Sequence, residues 1–133
     1  MPIMDKIVKY SVWISQNNYL TWFREISLEL ASGSTAYIGF PQQRPTDWLQ
    51  FAGSNTTLFM TQDEFAEVYH LLQSEKPVFF TALSLEGLQV GAVHTNLDVL
   101  EGVEPGELDP QPQSITSLVR RALRQQSATE KKK

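Results

Sequence analysis

Ile7-Val8-Lys9-Tyr10-Ser11-Val12-Trp13-Ile14-Ser15 decides how the chain is read. Val8, Tyr10, Val12 and Ile14 fall on one side of an alternation; Lys9, Ser11 and Ser15 fall on the other, with Ile7 and Trp13. Period two is the signature of a half-buried strand. Moving outward, Gln16-Asn17-Asn18 reads as a turn, because Asn tolerates positive φ. Residues 19–30 resume the alternation, with Ile26, Leu28 and Leu30 set against Glu25, Ser27 and Glu29. Leu20, Phe23 and Leu30 also fit a helix, which stays open as the alternative for this stretch. Ala31-Ser32-Gly33-Ser34 is a second turn, and residues 35–40 are a third strand. Pro41-Gln42-Gln43-Arg44-Pro45 is an irregular loop, since Pro cannot join a central ladder. Residues 48–52 and 56–60 read as short strands around a hairpin turn at Gly53-Ser54-Asn55.

The period changes at Thr61. Thr61-Gln62-Asp63-Glu64 is a capping box, and its acids suit the positive end of a helix. Phe65, Val68, Tyr69 and Leu72 then lie on one stripe at a 3.6-residue period, and Pro77 marks the stop. Residues 78–85 and 88–95 flank Glu86-Gly87 as a second hairpin. The first of these strands is apolar on both faces, which places it centrally. Residues 97–113 hold Pro105-Gly106, Pro110 and Pro112 among acids and read as a loop. Ser114 opens a second helix to about residue 126, with Ile115, Leu118, Val119 and Ala122 as its apolar stripe.

The expected fold is therefore α+β: an antiparallel β-sheet, a meander, with a helix after the first strands, a following hairpin and a C-terminal helix. Residues 1–97 form the core domain and 98–113 an acidic Pro/Gly-containing loop. Residues 114–126 form a basic-faced helix and 127–133 a disordered Lys tail. The core is expected around Val12, Ile14, Ile26, Leu28, Ile38, Phe65, Tyr69, Leu72, Phe80, Ala82 and Val90.

The 133 residues fit one domain. The absence of cysteine excludes disulfide frameworks, thiol nucleophiles, Cys-ligated zinc and iron–sulfur clusters. Met1-Pro2-Ile3-Met4-Asp5-Lys6 has no basic region followed by an apolar stretch, so no signal peptide is read there. No window reaches the ~18 consecutive apolar residues of a membrane span. A soluble, cytoplasmic protein is expected. Charge is unevenly placed. Residues 1–119 carry five basic and fourteen acidic groups, whereas 120–133 carry six basic groups and one acid. An acidic body repels phosphate.

No catalytic pattern emerges. Glu67 and His70 have the spacing of half a di-iron carboxylate site, but the second half is missing. His94 lies in a strand with Asp98 four residues on, a spacing that does not bring their side chains together. Two His without Cys are too few for zinc. G-x-S-x-G, the Walker A motif and G-x-G-x-x-G are absent. Gly87 and Gly91 are four apart, but across a hairpin. The expectation is a protein that is not an enzyme, with no catalytic residue, cofactor or metal.

Recognition remains. Trp13, Tyr19, Trp22, Phe23, Tyr37 and Trp48 form an aromatic set in the N-terminal strands; Trp13 falls on the polar face of the first strand, where an exposed indole makes a hot spot for a partner. Asp98, Glu101 and Glu104 begin the acidic run, and Arg120, Arg121 and Arg124 share the solvent arc of the last helix. Charges so separated set partner choice and encounter rate. The expected function is a non-catalytic accessory or regulatory subunit that binds another protein, self included, through these surfaces. The order of elements also resembles, at the level of architecture alone, the whirly class of single-stranded nucleic-acid-binding proteins. That resemblance implies basic groups along the sheet, which an acidic body disfavours. A small enzyme of unknown class is the third reading.

Overall fold

A computed structural model describes residues 3–85, 87–95, 115, 118 and 119 of the chain. Its strands are β1 (Ile3–Ile14), β2 (Trp22–Leu30), β3 (Thr35–Pro41), β4 (Leu49–Ala52), β5 (Asn55–Phe59), β6 (Phe79–Leu85) and β7 (Leu88–His94). One helix, α1 (Phe65–Ser74), follows a 3-10 turn at Gln62–Glu64. The strands form a single seven-stranded sheet in the order β4-β5-β3-β2-β1-β6-β7. The sheet curls until its ends nearly meet. Gly91 of β7 lies so close to β5 that a Cβ there would stand 2.5 Å from Leu58 Cδ1.

The expected α+β meander is corrected by this architecture. The described residues are mostly β, with strands holding 54% of them, and the sheet is a mixed, nearly closed barrel. The meander fails at one step. β5 pairs parallel to β3, from Thr35↔Asn55 to Gly39↔Phe59, and antiparallel to β4. The hairpin at Gly53, whose φ of 62° suits glycine, forms as read. Its second strand, not its first, docks on β3. Burial explains the choice: Thr56, Leu58 and Phe59 of β5 are buried, whereas Gln50, Phe51 and Ala52 of β4 are exposed. The apolar strand takes the inner position and the amphipathic one the edge. Ile115, Leu118 and Val119 have helical backbone, but no continuous C-terminal helix is among the elements of the described residues. Of residues 114–126 only Ile115, Leu118 and Val119 are described; the acidic loop and the Lys tail lie outside.

The main core joins Ile26, Leu28 and Leu30 of β2, Ala36, Ile38 and Phe40 of β3, and Phe80 and Ala82 of β6. Val68 and Leu72 of α1 pack into the same cluster, so the helix stoppers the open side of the barrel. Glu64 reaches back to the start of this helix, its carboxylate accepting from the Thr61 amide at 3.1 Å and the Thr61 hydroxyl at 3.0 Å. A second cluster on the other face of β6 and β7 gathers Leu83 and Val90 with Val119, and Leu118 packs against it. This is why 78–85 is apolar on both faces although β6 lies one place from the sheet's edge. Of the expected core only Ile14 lies outside, at 70% exposure.

Candidate functional site

β1 is twelve residues long and changes partners partway along. Ile3 to Lys6 pair with Ala82 to Phe79 of β6, and the Ile7 amide donates to the Val78 carbonyl at 2.8 Å. On its other side β1 pairs with β2, from Ile7↔Leu30 to Ile14↔Arg24. Beyond Ile7 no strand among the described residues pairs with the β6 side of β1. Residues 8–14 therefore form a free edge, although β1 is a central strand at its start.

A bulge sits where the partners change. Ile7 opposes Leu30 and Lys9 opposes Glu29, which leaves Val8 without an opposite residue. The bulge corrects the expected faces. Ile7 joins Tyr10 and Val12 against the core, and Val8 is exposed. Past it the order of the ladder is regular. The Ser15 amide donates to the Phe23 carbonyl at 2.8 Å. Antiparallel alternation then turns the amides and carbonyls of Lys9, Ser11 and Trp13 toward β2, and those of Tyr10, Val12 and Ile14 off the free edge.

The β1–β2 hairpin projects beyond the core at its far end. Ile14 faces inward opposite Arg24, but α1 and β3 supply nothing to cover it, and it stays exposed. Trp13 is 60% exposed and Tyr19 92%; Leu20 and Phe23 are exposed on the same hairpin. Asn17 orders the tip: its Oδ1 accepts from the amides of Tyr19 at 3.1 Å and Leu20 at 2.7 Å. The turn read at residues 16–18 is present, but the Asn side chain makes it, since no non-Gly residue among those described has positive φ. Arg24 fastens the hairpin to the body, its guanidinium 5.5 Å from the Phe65 ring centre.

Hollows flank this hairpin. One, about 250 Å³, lies under the tip between Ile14, Phe23, Arg24 and Phe40. Another, about 400 Å³, lies along Lys9, Ser11 and Trp13 of β1 and Glu25, Ser27 and Glu29 of β2. A third is a groove of about 640 Å³ between β1 and the exit of α1, lined by Lys6 to Tyr10, Leu72 and Glu75 to Val78. Tyr10 meets Tyr69 edge-on in its wall, with ring centres 6.3 Å apart. Lys6, Lys9 and Lys76 make the groove the most basic place on the described surface. Beside it, partial burial raises the Asp5 carboxyl, but hydrogen bonds from the Ser32 side chain and amide and from the Lys6 amide outweigh that. Its pKa lies below the ordinary 3.8.

Of the residues singled out in the sequence, Trp13 stands on this projecting hairpin. Asp98, Glu101, Glu104, Arg120, Arg121 and Arg124 lie outside the described residues. His70 and Glu67 are exposed on α1. His94 Nε2 lies 2.6 Å from Thr81 Oγ1, and its ring stacks on Phe79. Among the described residues no three His, Asp or Glu come together as a metal site would require, and no helix is long and apolar enough to cross a membrane. Tyr19 and Phe23 belong to the aromatic set the sequence offered for recognition; Ile14, expected in the core, and Leu20 were missed. The available signal was Tyr19-Leu20 itself, two large apolar residues directly after a turn. Comparison with protein families, curated proteins and solved structures gave no match.

Proposed function

We propose that the protein is a non-catalytic accessory or regulatory subunit that binds another protein chain, with the end of the β1–β2 hairpin as its contact surface. The observation that supports this is the exposure of Trp13, Ile14, Tyr19, Leu20 and Phe23 on a single hairpin. Fully covering one such side chain is worth about 1.5–3 kcal/mol, and the described residues leave each of them between 41% and 92% exposed. Exposed apolar side chains with aromatic anchors, gathered on the tip and the two faces of one hairpin, have the composition of a protein interface. In this reading the charges of Asp98, Glu101, Glu104, Arg120, Arg121 and Arg124 tune encounter and partner choice.

The test is affinity capture from lysate with full-length tagged protein, with and without nuclease, read by mass spectrometry. A nuclease-resistant chain, untagged copies of this protein included, is expected on the wild type. It should be lost at least tenfold from Trp13→Ser/Tyr19→Ser, a double change at exposed positions that leaves folding intact. Capture unchanged by the double substitution refutes the hairpin end as the surface. A signal abolished by nuclease refutes the protein-binding reading in favour of nucleic acid.

A further inference from the structure

We infer that the chain bound by this surface is a second copy of the protein, paired through the free edge of β1 about a twofold axis at Ser11; the inference rests on the reading that the hairpin end binds protein. The first support is the edge itself. Tyr10, Val12 and Ile14 present N–H and C=O groups outward with no strand among the described residues to receive them, and such an edge is a template for another strand. Lys9 and the Val8 bulge guard only its base; residues 10–14 carry no charge.

The second support is that the edge is complementary to itself. Antiparallel pairing about Ser11 sets Tyr10 of one copy opposite Val12 of the other, twice by symmetry. Both residues point their backbone groups outward, so both pairs become hydrogen-bonded pairs. Their side chains continue the apolar face that already packs on the core. On the opposite face Lys9 meets Trp13, an ammonium against an indole. No like charges oppose each other, whereas an axis at Lys9 would set two ammonium groups face to face.

The third support is shape. The second strand would lie in line with the start of β6, because β6 occupies that side of β1 up to Ile7. Its hairpin tip, with Tyr19 and Leu20, would then run toward the groove between β1 and the exit of α1. Each copy offers a tip and a groove, which is the isologous arrangement of a twofold dimer. A strand pair alone falls short of the roughly 800 Å² per partner of a stable interface, and the tip in the groove supplies the remainder.

The test uses the full chain. Light scattering at tens of micromolar should give twice the 15.1 kDa chain mass. Val12→Pro removes an amide that serves no bond among the described residues of one copy, and Trp13→Lys sets Lys against Lys9. Each should give a folded monomer by circular dichroism, with dissociation raised at least thirtyfold. The chain lacks cysteine, so Ser11→Cys adds a lone thiol. Its Cα would stand about 4.5 Å from its mate, within disulfide range, and mild oxidation should link the copies. Ser27→Cys, one strand further in, should not link. A wild-type monomer at 200 µM overturns the inference. If the Trp13 and Tyr19 variant still loses a different captured chain, the protein-binding reading survives that failure. If it loses none, both fall. A dimer indifferent to Val12→Pro and Trp13→Lys, or unlinked at Ser11→Cys, also overturns the inference.

Discussion

Ile14 and Gly91 show what single residues decide here. Ile14 has the right parity for the core and the wrong position along the strand, because the hairpin outruns α1 and β3. Parity is legible in a sequence; how far the covering elements reach is not. Gly91 does the reverse and admits Leu58, which is 2% exposed and three of whose side-chain atoms would lie within 3.3 Å of a Cβ at 91. Gly91→Val should therefore cost about 1–3 kcal/mol in chemical denaturation, the price of overpacking; an unchanged midpoint would mean the sheet ends are not held this closely. Asp5 ties β1 to the turn after β2 by accepting from the Ser32 amide at 2.8 Å. Its folded pKa lies below its unfolded one, so its contribution is complete above pH 3.8 and is lost as pH falls through the lower folded value. Asp5→Asn should destabilise by about 1 kcal/mol at pH 7, with the difference closing in acid. A difference independent of pH would contradict that origin.

At the level of elements, period two identified the β1, β2, β3 and β6 segments correctly, and the 3.6-residue stripe found α1 within a few residues. These signals are local: each element's own residues carry its burial pattern. The β3–β5 pairing was not legible, because hairpin chemistry at Gly53 fixes that two strands meet and leaves open which of them docks. The bulge at Val8 was hidden for a related reason. An extra residue in an alternating run is visible only against the opposite strand, and Leu30 lies far away in sequence. Of the candidate site, Trp13 was readable from its parity among polar neighbours. Tyr19 and Phe23 were readable as aromatics of the N-terminal strands; Ile14 and Leu20 were not, since their exposure depends on what fails to cover them.

For the whole molecule, closure is the feature with no sequence signal, because it depends on β7 returning to the neighbourhood of β4 and β5. Curling also gives β1 its double character, central beside β6 and free past Ile7. The claim that this free edge and the hairpin end form the binding surface is tested most directly by residue-resolved amide hydrogen exchange. The amides of Tyr10, Val12 and Ile14 have no partner among the described residues of one copy, while those of Ser11 and Trp13 bond to β2. The account predicts that Tyr10, Val12 and Ile14 exchange slowly in concentrated wild-type protein, and rapidly both on dilution and in Trp13→Lys. Ser11 and Trp13 should change far less on dilution. Rapid exchange of Tyr10, Val12 and Ile14 at every concentration, even with a captured partner bound, would contradict it.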